Sequence, residues 1–436
     1  MKESYKKEKI NENKVNHRRE NETVLFISYF TGIDANCPAE WADDRLRAIS
    51  KEDHKVILLT GLGSRHEDSE NHTVFRTPSL AWDDFNHELR WREGLGQKTS
   101  PLYLGILLAL VFIIGKPIQL FTKFITRGGS GGKWSWIALT TPVCIWIVLT
   151  KKITWLYCTG GPPSAYIVGA LASFFSKAKF IIEFQDPLFG AETNQSPFKR
   201  RMVTIIERWL IGRSDLSVYV TKKSADDAKL RYPVFGKKIN ANYPGAWNFQ
   251  IVASTDSSKR NYIEILHLGT LYGSRNLDLL FKSVDQMYEK GLLAKGSVKF
   301  TNVGSVYTEN VEDYKARKDF QLIPERGRLD ALRIASHADI LLLVQHTDKR
   351  SAETIPYKIY DYLNLNKPII ALTLNQEITN LCQVPSFFSA NCLDENEIKT
   401  ALLNVIRYIS DSNTAKQAIE NNLLIDIQKQ ITNLLQ

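Results

Sequence analysis

The chain has 436 residues, 44% of them hydrophobic and 24% charged, with a formal charge of +9. That length exceeds what one hydrophobic core usually serves and predicts two domains, and the composition excludes a fibrous or wholly disordered protein. The positive balance suits an anionic substrate or membrane surface as well as nucleic acid, so charge alone selects no partner.

Residues 1–21 are polar and charged with no apolar core, which predicts a disordered basic tail and not a signal peptide. Five cysteines (37, 144, 158, 382, 392) form no C-x-x-C pair, so a reducing, cytoplasmic setting is expected. From Val24, VLFISYF reads as a strand, TGIDANCP as a loop carrying Gly32, AEWADDRLRAIS as an amphipathic helix and HKVILLTG as a second strand. This opens a Rossmann-like half, whose first loop lies at the carboxyl edge of the sheet, where ligands bind. Near residues 101–150 two short apolar runs follow each other, LYLGILLALVFIIG and WSWIALTTPVCIWIVLT, split by Lys116-Pro117 and by RGGSGGK. Neither reaches the roughly 20 residues that span a bilayer. Their aromatic ends and basic flanks predict a hairpin dipping into a membrane face, with a buried helix pair as the alternative.

ITWLYCT is then a strand ending at Gly160-Gly161-Pro162-Pro163-Ser164, YIVGALASFF a helix, KFIIEF a strand ending at Gln185-Asp186, and LSVYVT another strand. Residues 22–250 are assigned to this first domain, and the loop-like text from Ala241 to Ser258 marks its end. A second α/β series occupies 251–415: IEILHLG, NLDLLFKSVDQMYEKG, SVKFTNVG, RLDALRIASHA and DILLLVQ alternate as strand and helix. Its last clear helix and strand lie in SAETIPYKIYDYLNLNKPIIAL, and residues 416–436 read as a C-terminal helix. The fold class expected is α/β, two Rossmann-like domains facing each other across a cleft.

The residues able to carry chemistry cluster in the second half. The strand IEILHLG runs into Gly269, Gly273, Ser274 and Arg275 ahead of a helix, and backbone N–H groups at a helix start make an anion site that an arginine fork completes. In the SAETIPYK stretch Thr354 is the expected N-cap and Pro356 falls in the first turn. Ile355, Ile359, Tyr362 and Leu363 form the buried face, while Lys358 and Asp361 share a flank with Glu353 just outside. A surface ion pair is the plain alternative for that flank. A phosphate loop, a second cation and a carboxylate that can take ribose hydroxyls suit a nucleotide diphosphate with a group attached. There is no G-x-G-x-x-G after the first strand, no P-loop and no D-x-D. A redox dinucleotide, P-loop hydrolysis and a carboxylate-held metal are therefore set aside, and protein cations must meet the charge of a leaving group.

GTLYGSRN, the Glu353–Asp361 spacing and the loops TGGPPSAY and EFQDP together resemble the family 4 retaining glycosyltransferases of the GT-B fold, especially the bacterial surface-polysaccharide branch, over nearly all of residues 22–415. In that family the first loop binds the donor phosphates, with Arg275 here in the basic position and Thr270 where arginine is frequent. The E-x7-E signature is matched by Glu353, beside the donor sugar, and Asp361, on the ribose; Lys358 matches a lysine frequent in this branch. The resemblance implies Glu353, Arg275, Lys358 and Asp186 as catalytic, and Gly269, Gly273, Ser274, Arg275, Lys358, Asp361 and Glu353 as donor-binding. Gly32, Gly160, Gly161, Ser164, Gln185 and Asp186 fall on the acceptor side, where Gln185-Asp186 stands in place of a histidine carried by many members. It implies metal-independent transfer from a nucleotide-diphosphate sugar to a glycan or lipid-linked acceptor, with no further cofactor, no nucleic acid, and peripheral contact with the inner face of the plasma membrane. A nucleotide-sugar epimerase or a non-catalytic nucleotide-sugar-binding protein would share the donor residues.

Overall fold

The computed structural model describes residues 22–52, 54–93, 100–117, 120, 133–189, 196–251, 260–411 and 427–435. The described chain divides into two compact units. The first contains β1 (Thr23–Ser28), α1 (Cys37–Lys51), β2 (Lys55–Gly61), β3 (His72–Thr77), α2 (Trp82–Glu93), α3 (Pro101–Leu110), α4 (Trp136–Thr150), β4 (Trp155–Gly160), α5 (Ser164–Ala172), β5 (Lys179–Phe184), α6 (Pro197–Arg213), β6 (Leu216–Tyr219), α7 (Lys222–Arg231) and β7 (Ile239–Ala241). Its seven strands are all parallel in the order β3-β2-β1-β4-β5-β6-β7. Such a sheet is covered on both faces, which is why β1, β2, β4 and β5 read as unbroken apolar runs. The order reverses between β1 and β4, so a crevice for ligands opens at their carboxyl ends.

The second unit repeats the plan. It contains β8 (Ile263–Leu268), β9 (Leu271–Tyr272), α8 (Asp278–Glu289), β10 (Val298–Val303), β11 (Val306–Tyr307), α9 (Val311–Ala316), β12 (Phe320–Ile323), α10 (Arg328–Ser336), β13 (Ile340–Val344), α11 (Lys358–Asn364), β14 (Ile369–Leu372), α12 (Gln376–Leu381), β15 (Phe387–Ala390) and α13 (Glu395–Ser410). The main sheet runs β12-β10-β8-β13-β14-β15, all parallel, and reverses between β8 and β13. Both halves are therefore Rossmann-like, as the alternation of strands and helices predicts.

Two boundaries differ from the sequence reading. The first unit ends at Pro244, not near residue 250, and its last turn is held by Arg45, which donates to the Pro244 carbonyl and pairs with Glu183 at 2.9 Å, both side chains fully buried. The C-terminal helix is described only as α14 (Ile427–Leu434), and it belongs to the first unit: Gln428 Nε2 donates to the Ala48 carbonyl of α1 at 2.9 Å, and Thr432 to Glu52 at 2.7 Å. The second sheet also has a strand that the sequence reading did not pick out: β15, followed by α13, completes it within the expected 251–415. The expected tail at 1–21 and the segment 416–426 lie outside the described residues.

The apolar insertion is buried on one side, as the helix-pair alternative expects. Leu107 and Val111 pack on Leu62, Leu80 and Phe85, and Trp136, Cys144 and Ile147 of α4 enter the main core. The opposite side of the same helices stays exposed and apolar, with Leu102, Ile106 and Ile113 on one and Trp146 and Leu149 on the other. No helix among the described residues is long and apolar enough to cross a membrane.

Beside this insertion Glu88 of α2 is fully buried, accepting from Tyr29 Oη at 2.6 Å and from the Ser79 N–H at 3.1 Å. Burial pushes its carboxyl from 4.5 up to about 8. Between those values the native state holds a proton that the unfolded chain has released, so stability falls as pH rises through that window and is level above it. The melting temperature is expected to drop from pH 5 to pH 8, by an amount equivalent to at most about 1.4 kcal/mol per pH unit, and Glu88→Gln is expected to flatten the profile. Thermal melts across that range check it; parallel profiles for the two proteins would exclude a proton on Glu88.

Candidate functional site

In the second unit the central strand β8 ends at Leu268, and the chain turns away at Gly269 with φ of 107°. α11 begins at Lys358, and its ammonium reaches back across that strand end. Lys358 Nζ lies 2.9 Å from His267 Nε2 and also donates to the Leu268 carbonyl. His267 is buried, with Nδ1 2.6 Å from Asn302 Oδ1, while Asn302 Nδ2 donates to the Gly304 carbonyl at 3.0 Å. Because the amide nitrogen is committed to Gly304, its oxygen faces the ring, Nδ1 carries the hydrogen and Nε2 offers its lone pair to the lysine. Burial first, and then the Lys358 charge, hold the imidazole well below its usual range, so it is neutral at physiological pH. A Cβ at Gly269 would stand 3.0 Å from Lys358 Nζ, and one at Gly304 would stand 2.6 Å from the Gly269 carbonyl, so glycine at both positions lets the lysine lie against the strand ends.

Arg275 lies in the loop after β9, its guanidinium 5.3 Å from the Tyr272 ring centre, and its charge also lowers the His267 pKa. Two cations thus act on one imidazole at the switch point of the sheet. The same loop is tied to the end of β13. Tyr272 Oη lies 3.3 Å from His346 Nε2, His346 Nδ1 lies 3.0 Å from Ser274 Oγ, and Ser274 Oγ donates to Asp348 Oδ2 at 3.1 Å. With its hydrogen given to the carboxylate, Ser274 accepts from Nδ1–H and Nε2 accepts from tyrosine. The Ser274 side chain is therefore a tie between two loops, and only its backbone is open to the phosphate role expected of it. The expected anion site at the following helix is also corrected. α8 starts at Asp278, the Leu277 N–H is taken by Tyr314 Oη at 3.0 Å, and a carboxylate occupies the first turn.

Glu353 sits in the lead-in to α11, held from beneath by a buried amide network. Gln345 Nε2 donates to the Thr354 carbonyl at 3.0 Å, and Asn375 Nδ2 donates to the carbonyls of Ser351 and Thr354 at 2.8 and 3.1 Å. α11 starts only at Lys358, with Tyr357 at its N-cap position and no side-chain cap, so Thr354 is not its cap and Pro356 precedes the helix instead of entering its first turn. Ile355, Ile359, Tyr362 and Leu363 are buried as expected, but so are Tyr360 and Asp361. The Asp361 carboxylate faces Arg328, whose Nη2 and Nε lie 2.6 and 3.2 Å from its two oxygens, and the guanidinium stands about 5 Å from the Phe249 and Tyr357 rings. The surface-pair alternative fails, since Asp361 is only 6% exposed and has a partner on another helix.

On the first unit, Gly32, Gly160, Gly161, Ser164, Gln185 and Asp186 gather at the carboxyl ends of β1, β4 and β5. The Gly32 N–H donates to both oxygens of Asp43 at 3.0 and 2.9 Å, and His66 Nε2 lies 2.7 Å from the same carboxylate. Gln185 is buried, donating to the Pro38 carbonyl at 3.3 Å and to Thr159 Oγ1 at 3.4 Å, which makes it scaffold. Asp186 is exposed beside it, and the buried Ser164 hydroxyl has no hydrogen-bond partner among the described residues. Sequence reasoning missed His267, Asn302, Arg328, Gln345 and His346; the polar residues breaking the apolar runs ILHLG and FTNVG were the available signal for the first two.

No family model and no curated protein matches the sequence. Solved structures do. HepE of Anabaena in complex with UDP and glucose is 14% identical with a TM-score of 0.58, over 95% of this chain and 99% of that one. An α,α-trehalose-phosphate synthase (UDP-forming) from Burkholderia vietnamiensis is 12% identical with a TM-score of 0.59, over 95% and 99%. A lipopolysaccharide outer core galactosyltransferase in its apo form is 10% identical with a TM-score of 0.53, over 94% and 98%. At these identities the likeness is one of fold, and with the two Rossmann-like units it gives the fold class as GT-B.

Proposed function

We propose that the protein is a retaining glycosyltransferase that moves a sugar from a nucleotide-diphosphate sugar to a glycan or polyprenyl-linked acceptor, in the building of a bacterial surface polysaccharide. The observation that carries this reading is the Lys358 ammonium at the switch point of the second unit, held by two neutral acceptors and accompanied by Arg275. In the transfer, the bond from the sugar C1 to the diphosphate oxygen breaks. A bond from C1 to an acceptor hydroxyl forms on the same face, the proton of that hydroxyl passes to the departing diphosphate oxygen, and the nucleotide diphosphate leaves. Negative charge grows on the diphosphate as it departs, and cations already fixed in place stabilise it without reorganisation. Glu353 orients the sugar hydroxyls, Asp361 serves the ribose, and Asp186 with the glycine loops of the first unit serves the acceptor. Supporting the donor class, fold neighbours were solved with UDP or named for forming it. The exposed apolar side of the insertion supports work at the inner face of the plasma membrane, where a lipid-linked acceptor resides.

Release of free nucleotide diphosphate only when an acceptor is supplied is the primary test. An epimerase would turn over without acceptor, and a binding protein would release nothing. Turnover is expected to survive EDTA, because side-chain cations meet the leaving-group charge; loss on chelation with recovery on Mg²⁺ or Mn²⁺ would contradict this.

Lys358→Met and Arg275→Met are each expected to lower kcat by roughly 10²- to 10³-fold with little change in KM, since their charges matter most in the transition state. His267→Ala keeps the ammonium but removes its acceptor, so a smaller loss in the same parameter is expected, partly restored by His267→Gln.

Asp361→Asn strands the buried Arg328 charge. It is expected to cost about 3 kcal/mol of stability as well as donor affinity. Adding Arg328→Met should restore the melting temperature but not the affinity. Recovery of both would remove Asp361 from the donor site.

A further inference from the structure

Between Glu93 and Glu183 the chain has no acidic residue over 89 positions, where 47 acids in 436 residues would place about ten, yet it carries nine Lys and Arg there. The structure shows where that stretch leads. The steps from β3 to β4, β4 to β5 and β5 to β6 all move the same way across the sheet, so right-handed crossovers lay α4, α5 and α6 on one face. α5 lies in the middle and is almost wholly buried, packed against both neighbours.

The outer sides of those neighbours are unusual for a solvated surface. α4 exposes Ala138, Pro142, Trp146 and Leu149, a single stripe at helical spacing. α6 exposes Phe198, Arg201, Ile205 and Arg208, again one stripe, with Phe198 50% and Ile205 53% exposed. Five of the 17 residues of α6 are Lys or Arg, and its one acid, Glu207, is buried against Tyr219, Tyr232 and Arg231. Phe174 and Phe175, both more than half exposed, follow α5 and link the two helices, with the Arg213 guanidinium at the end of α6 4.1 Å from the Phe174 ring.

A solvated helix face mixes both signs of charge and seldom repeats large apolar groups. A face that alternates aromatic or aliphatic side chains with arginine, and lacks acid, has the make-up of an interfacial helix on anionic lipid. Nucleic acid would use the cations but gives no reason for Ile205, Leu149 and Trp146 to stand in water.

We infer that the α4–α6 face of the first unit is a docking surface for anionic membrane lipid, with α6 as the element that selects headgroup charge. This rests on the membrane-facing reading of the insertion and adds to it a second helix and a lipid class.

The test uses the full chain, sedimented with vesicles of phosphatidylcholine alone and with vesicles of equal parts phosphatidylcholine and phosphatidylglycerol. At least tenfold stronger binding to the mixed vesicles is expected. Each basic residue at an anionic surface contributes about fivefold. Arg201→Glu with Arg208→Glu should therefore remove the preference, a loss of about 30-fold or more. Trp146→Ser with Leu149→Ser should weaken binding to both vesicles alike. Unchanged thermal melts show that the variants are folded. Equal binding of the native protein to both vesicles would overturn the role of α6 while leaving the insertion's membrane contact intact. Binding to neither, or to a single-stranded RNA and no vesicle, would overturn both, and wild-type binding by the α6 variant would overturn the proposal by itself.

Discussion

The contact between Lys358 and His267 is the constraint around which the second unit is arranged. A cation at the edge of a buried parallel sheet must be compensated, and the commonest way is an acid. Here two of its acceptors are a neutral imidazole and a backbone carbonyl, which satisfy hydrogen bonds without cancelling charge. Asp361, three residues on along the same helix, shows the other solution: its carboxylate meets a guanidinium in a two-point pair and the charges cancel. Two residues that look equivalent on the sequence thus have different partners, one an imidazole and a carbonyl and the other a buried guanidinium.

Holding a lysine in that way sets demands on its neighbours. The imidazole must present Nε2 as an acceptor, so its other nitrogen needs an acceptor of its own, and Asn302 supplies one only because Gly304 fixes the amide's orientation. The loops on either side are fastened by polar groups that are themselves satisfied. Tyr272, His346, Ser274 and Asp348 form one directed chain, and Gln345, Thr373 and Asn375 form another beneath Glu353. Such networks stiffen loops that would otherwise move, because leaving any one group unpaired in the interior costs more than the bond itself contributes.

Much of this arrangement is legible in the order of the amino acids. Alternating apolar strands and amphipathic helices point to two Rossmann-like series, and the loops at strand ends fall at carboxyl edges because a parallel sheet leaves them no other place. Lys358, Arg275 and Asp361 stand out as a set from residue type and position, and Glu353 joins them through the family resemblance. What the sequence withholds depends on pairing across the sheet. His267 and Asn302 are 35 residues apart and touch only because β8 and β10 are neighbours in register, and Arg328 reaches Asp361 from a helix whose own sequence looks surface-exposed. β12 and β15 escape a sequence reading for a related reason: edge strands are half exposed, so their residues lack the apolar run that marks an inner strand.

The insertion shows why periodicity fails at a particular kind of helix. A run apolar on all sides has almost no amphipathic signal, so periodicity does not choose between burial and membrane contact, and only the aromatic ends and basic flanks favour the latter. The fold buries one side of the insertion and leaves the other exposed: Leu107, Val111 and Ile147 are inside, while Ile106, Ile113, Trp146 and Leu149 are out. An exposed apolar side of that extent is unfavourable in water unless a partner covers it in the working state. Acids are absent from the same 89 residues in which that side lies. A protein–protein contact would tolerate acid at its rim, and a neutral partner would have no reason to exclude it, whereas an anionic surface repels carboxylates over about a Debye length and would act on every position near it. The exposed apolar side of the insertion and the absence of acids throughout the segment are the two features that the proposed anionic apolar boundary accounts for together.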